Sequence, residues 1–240
     1  MRAFLGCILL LPLLGATQNA TMPRDYRGPE TRVFGVFVTP VPNAAFSAHV
    51  DIISRQKLED GTMSTRTTRA DIARDSAGRI YNERRALVAA TFHGEPPLLS
   101  AHIYDPATRT SVFLEPSTHL AKQIVLKQAL RDGVAREAAA ADTAVKEENL
   151  GTQTLGPLTI HGIRKSRVIP AQASGTGAQV TVTDEYWFSP ELSMYMVIKH
   201  KDPRSGEQIV GISDVERTEP PASRFAIPAG YKLVDETPVE

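Results

Sequence analysis

From Asn43 onward the apolar positions recur at every second residue. "AFSAHVDII" sets Phe46, Ala48, Val50 and Ile52 on one side and Ser47, His49 and Asp51 on the other, the period of a half-buried strand. Asp60-Gly61 follows, a dipeptide that predicts a tight hairpin because both central residues of a type I′ turn need positive φ. "TMSTRTTRADIAR" then returns, and "DSAG" at 75–78 turns the chain again. "DPATR" at 105–109 and "DPRSG" at 202–206 place Pro where φ near −65° is wanted, with Asp beside it to accept backbone bonds. Between these turns lie "LLSAHIY", "TSVFLE", "THLAKQIVL", "LTIHGIRKSRVI", "QVTVTDEYWF", "SMYMVIKH" and "QIVGISDVER". Short strands punctuated so regularly predict a mainly β fold, a large antiparallel meander.

One segment departs from this rhythm. Residues 127–149, "KQALRDGVAREAAAADTAVKEEN", are rich in alanine and charge, with Leu130, Val134, Ala138, Ala141 and Val145 at the spacing of one helical face. The reading is a helix crossing one face of the sheet, or alternatively a linker. Residues 21–31 and 171–178 read as loops.

The stretch 185–210 carries the single tryptophan. A turn at 189–192 sets Trp187 against Met194, Tyr186 against Tyr195 and Glu185 against Met196; a loop at 203–206 then sets Val197 against Ile212 and His200 against Ile209. On this register Tyr186, Tyr195, Val197 and Ile212 share one face, and Trp187, Met194, Met196 and Ile198 share the other. Both faces are apolar, which a sheet with one side in water does not need. The second face is therefore covered by the 127–149 segment or lines a cavity for something apolar, and methionine suits either role.

The chain opens "MRAFLGCILLLPLLGATQNA": one arginine, an apolar run from Ala3 to Leu14, then small residues. This pattern reads as a secretory signal peptide over residues 1–20, followed by a single β-rich domain at 21–240. The run is shorter than the about 20 residues a transmembrane helix requires, so no membrane span is expected in the mature chain, whose expected address is periplasmic or secreted. The only cysteine, Cys7, lies in the part removed, which excludes disulfides and thiolate chemistry from the mature chain. The remaining 26 basic and 27 acidic residues balance, giving no pull toward nucleic acid.

Candidate chemistry is sparse. The histidines at 49, 93, 102, 119, 161 and 200 show no H-x-H or H-E-x-x-H spacing, so no metal site is expected. "QASGTGAQ" around Ser174 lacks the elbow that exposes a serine nucleophile and the Gly-Lys-Ser/Thr of a phosphate loop. No catalytic residue and no cofactor is assigned. Between Arg55 and Arg85 the arginines include Arg66, Arg69, Arg84 and Arg85, able to clasp an acidic partner through forked guanidinium groups. They are interleaved with Glu59, Asp60, Asp71, Asp75 and Glu83, as on a solvated face with cross-strand ion pairs.

The run "LEDGTMSTRTTRADIARDSAGRIYNERR", with "IYDPATRTSVFLEPSTHLAKQI", "LGTQTLGPLTIHGIRKSRVIPA" and the closing "EPPASRFAIPAGY", resembles a group of exported bacterial β-rich proteins of unassigned function. More distantly, the ending and the strand-rich chain are similar to the periplasmic lipoprotein-carrier fold, shared with a sensor of envelope stress. That resemblance implies a strongly curved antiparallel sheet, a half-barrel whose concave side takes acyl chains. The functions that follow are binding of a lipid or lipidated protein against Trp187, Met194, Met196 and Ile198; alternatively, an envelope protein-interaction or sensor module using Arg66, Arg69, Arg84 and Arg85; and third, a hydrolase with a dispersed site.

Overall fold

The computed structural model describes residues 36–128 and 145–238. They form one open, curved sheet of thirteen strands: β1 (Phe46–Lys57), β2 (Met63–Arg74), β3 (Ile80–Arg85), β4 (Val88–Ala89), β5 (Leu98–Asp105), β6 (Thr110–Glu115), β7 (Leu120–Val125), β8 (Val145–Leu155), β9 (Leu158–Ile169), β10 (Val180–Ser189), β11 (Met194–Asp202), β12 (Gly206–Glu216) and β13 (Lys232–Asp235). The spatial order is β13-β7-β6-β5-β3-β2-β1-β12-β11-β10-β9-β8, with β4 pairing β2 off this path. Two meanders, β1 to β7 and β8 to β12, are thus joined where β1 runs antiparallel to β12. The pairing of β13 with β7 is parallel.

β1 alternates as its sequence dictates, with Phe46, Ala48, Val50 and Ile52 buried. The turns fall where Pro, Asp and Gly place them, but their lengths differ from the simplest reading. The first hairpin is a three-residue loop closed between Leu58 and Thr62, not a two-residue turn on Asp60-Gly61; Gly61 alone takes a positive φ, 83°. Three others share one design. Loops 106–109, 116–119 and 190–193 each begin with proline and end on a left-handed residue, Arg109, His119 and Ser193.

This design corrects the expected register of the tryptophan hairpin. The loop is 190–193, so Ser189 faces Met194 and Phe188 faces Tyr195. A bulge at Met196 then sets Trp187 opposite Val197 and Tyr186 opposite Ile198. The next hairpin turns on three residues, 203–205, with the Ser205 amide bonded to the Asp202 carbonyl. Val197 therefore faces Gly211, and His200 faces Gln208. A slip of one residue moves a side chain to the other face, and Ile212 accordingly joins Met196 and Ile198 in the core instead of Tyr195. Gly206 ends this turn at φ 122°; an added Cβ would sit 1.9 Å from the Arg55 carbonyl, so β1 approaches too closely for any side chain.

The helix expected over 127–149 is corrected at its C-terminal end: Val145 to Asn149 open strand β8. The cause is cross-strand charge pairing with β9, Glu147 opposite Lys165 and Glu148 opposite Arg164, which outweighs the helical propensity of the Ala/Glu/Lys text. Residues 129–144 lie outside the described residues, as does the leader expected at 1–20. The loop expected at 171–178 holds one helical turn, Ala171–Ser174.

Both faces of the sheet are apolar, and each has its own core. The larger gathers Phe46, Val50, Ile52, Ile72, Ile80 and Tyr104 with Trp187, Met194, Met196 and Ile198. The smaller holds Ala73, Tyr81, Ile103, Val112 and Leu114, and the C-terminal "EPPASRFAIPAGY" covers it through Phe225, Ile227 and Tyr231. Arg79 stacks on Phe225 and Arg224 on Tyr81, at 5.1 and 5.2 Å, which fixes this strap to the sheet.

Among the described residues one cation is fully buried. Arg74 donates to the carbonyls of Ala44, Thr39 and Leu192 at 2.8, 2.7 and 2.9 Å and lies over the Phe46 ring. It ties the segment before β1 and the β10–β11 loop to β2, and burial lowers its pKa to about 10.

Candidate functional site: an apolar cavity on the sheet

Residues of β1, β2, β3, β5 and β12 line a partly open cavity of about 220 Å³. Its floor comes from Val50 and Ile52 of β1 and from Thr68, Ala70 and Ile72 of β2. The register produces this floor, because Val50 faces Ala70 and Ile52 faces Thr68 directly, and the small Ala70 leaves the space. Gln208 of β12 closes one end, Asn82 of β3 lies toward the other, and Val36, Leu87 and Leu99 contribute apolar walls. Leu99 is half exposed.

Arg84 and Arg85 of β3 border the cavity, beside a third charged residue, Glu83. They are sequence neighbours, and a register irregularity between them relaxes the strict alternation of a strand. Arg85 is bonded to Glu83 at 2.6 Å, Glu95 at 2.7 Å and the Pro96 carbonyl at 2.9 Å; the Glu83 bond, stronger than the opposing effect of burial, raises its pKa. Tyr81 donates to the same Glu83, and burial followed by that carboxylate pushes the phenol up.

The structure gathers Trp187, Met194, Met196 and Ile198, as the sequence suggests, but inside the packed core, and none of the four lines the cavity. The indole lies across Gly162 of β9, where an added Cβ would come within 2.7 Å of the ring. The four connect to the cavity through one link: Ile198 faces Val210, which faces Ile52.

The four arginines do not form one patch. Arg66 and Arg69 have opposite parity on β2 and point to opposite faces. Arg69 clasps Asp51 at 2.8 and 3.2 Å. Burial raises the Asp51 carboxyl, and the bonds from Arg69 and Ser213 more than reverse this, holding it below the usual range. Only Arg84 and Arg85 meet, at the cavity mouth.

A serine, a histidine and an aspartate do stand side by side: Ser213, His49 and Asp71 are direct partners across β12, β1 and β2. His49 is bonded to Asp71 at 2.9 Å, but the Ser213 hydroxyl donates to Asp51 at 2.5 Å. The row is a cross-strand polar ladder in which the serine hydroxyl is directed to Asp51. The Ser174 hydroxyl donates to the Ala171 carbonyl at 2.9 Å, a local cap. Among the described residues no three His, Cys, Asp or Glu side chains converge as metal ligands, and no helix is long and apolar enough to cross a membrane.

No family model and no curated protein sequence matches the chain. Among solved structures it is similar to an uncharacterized conserved protein from Thermus thermophilus (TM-score 0.41, 10% identity, covering 81% of this chain and 91% of that one). It is also similar to a LolA superfamily protein from Nitrosomonas europaea (0.31, 14%, 78% and 92%) and to MucB (0.40, 8%, 81% and 61%). These are distant likenesses.

Proposed function

We propose that this protein is a non-catalytic carrier of the bacterial envelope that holds a single acyl chain in the cavity over β1 and β2. The observation that carries the reading is the cavity itself, walled by Val50, Ile52, Ile72, Leu87 and Leu99 and bordered by charged groups at Arg84 and Arg85. At about 220 Å³ it is smaller than the roughly 300–1,000 Å³ of ordinary small-molecule sites. It suits one slender chain better than a bulky ligand, and each methylene buried contributes about 0.8 kcal/mol. Trp187, Met194, Met196 and Ile198 act as the rigid backing of this wall, connected to it through Val210 and Ile52. The leader at residues 1–20 supplies export, and residues 21–240 work as one domain in the periplasm or outside the cell. The chain belongs to a free lipid or to a lipidated protein.

Filling the cavity tests this. Ala70→Phe places a ring in the space that Ala70 leaves beside Thr68 and Ile72. Displacement of a fluorescent fatty acid should fall at least tenfold in affinity, with the far-ultraviolet spectrum unchanged. Undiminished binding by a folded Ala70→Phe protein would remove the cavity from the account.

A further inference from the structure

Apart from the charged groups of β3 at its border, the cavity wall has three neutral polar points. Thr68 Oγ1, Asn82 Oδ1 and Gln208 Oε1 are buried side-chain oxygens that make no hydrogen bond with any described residue, and all three line it. Thr68 and Gln208 are 5% and 3% exposed. Buried polar groups in folded proteins are almost always satisfied, because leaving one bare forfeits its bonds to water. Valine and leucine would have closed the wall at positions 68 and 208 without that loss. Polar side chains at these places point to an occupant that answers them.

Their spacing narrows its chemistry. Thr68 faces Ile52, Gln208 faces Ser54 and Asn82 faces Ile72. Strand geometry puts Gln208 and Thr68 about 12 Å apart, and Thr68 and Asn82 about 14 Å apart. The three lie on a diagonal along the cavity, so one small headgroup does not reach them all. Two are carboxamides and one is a hydroxyl, so no fixed charge is offered to an ion at these points. A hydroxyl, which both donates and accepts, satisfies each of them whichever way the carboxamides turn.

Resting on the acyl-chain reading above, we infer that the ligand is an amphiphile bearing hydroxyl groups along or beside its chain, recognised by Thr68, Asn82 and Gln208. Hydroxyls come from two sources, a hydroxylated acyl chain or a glycosyl headgroup. The full mature chain, titrated by calorimetry with matched probes, separates them: 3-hydroxytetradecanoic acid against tetradecanoic acid, and decyl glucoside against decyl phosphocholine.

The expected result is a preference of about tenfold for the hydroxylated member of one pair, and the pair that shows it names the source. In the double variant Thr68→Val/Gln208→Leu the preference should vanish, with an unchanged far-ultraviolet spectrum and urea midpoint certifying the fold. Asn82→Leu alone should reduce the preference in the same direction. Equal binding within both pairs would overturn this inference, with water the partner of the three oxygens, and would leave chain binding standing. Binding of no probe would overturn both.

Discussion

Arg74→Leu removes the fully buried guanidinium and leaves the carbonyls of Thr39, Ala44 and Leu192 without their donor. Hydrogen bonds from a charged group each contribute about 1.5–3 kcal/mol, so the three sum to roughly 5–9 kcal/mol. Desolvation opposes them: the fall in pKa from the ordinary guanidinium value to about 10 corresponds to a penalty on the order of 3 kcal/mol. The cation over Phe46 adds about 1–2 kcal/mol, and leucine recovers some packing. Loosening of residues 36–44 lets water reach two of the carbonyls, which brings the net loss to about 3–5 kcal/mol, the range for breaking a buried charged cluster from one side. Urea unfolding followed by circular dichroism reads this as a lower midpoint at unchanged slope. Hydrogen exchange should accelerate at residues 36–44 and 190–193. A loss below about 1 kcal/mol, with exchange at those residues unaltered, would refute the role of Arg74 as the tie between the three segments.

Two further outcomes follow from single contacts. Gly162→Ala pushes a methyl into the face of the only indole, so it should cost about 1–3 kcal/mol and shift the Trp187 emission to longer wavelength; an unchanged spectrum would mean the ring does not lie on β9. His102, bonded to Ser111 at 2.7 Å and stacked on Phe113 at 4.5 Å, has its pKa lowered by burial to about 4. The unfolded chain, titrating near 6.5, takes up that proton first, so stability is complete above pH 6.5 and falls, by up to about 3 kcal/mol, as the pH drops toward 4. His102→Phe should flatten the midpoint over that window; an unchanged slope would contradict it.

Much of the sheet is legible in the sequence, because alternation in β1 and the Pro, Asp and Gly turns are local signals. Register is less so. The four-residue loops end on Arg109, His119 and Ser193, residues whose left-handed backbone no composition rule announces, and the bulge at Met196 is set by tertiary pairing. β8 hides behind an Ala/Glu/Lys text that reads as helix until its charged partners on β9 are known. The aromatic and methionine cluster is conspicuous in sequence for the reason it packs well, and it went into the core. The cavity was not legible, since it needs β1 beside β12, a pairing across more than 150 residues. Its polar points, Thr68, Asn82 and Gln208, look in isolation like ordinary solvent-facing positions.

The most direct measurement of the central claim is a titration of methyl-labelled protein with tetradecanoic acid, read by nuclear Overhauser contacts between chain and methyl groups. The account predicts contacts to Val50, Ile52, Ile72 and Leu99 at one chain per protein. Contacts confined to exposed positions such as Met63 or Leu233, or no contacts at saturating ligand, would contradict it.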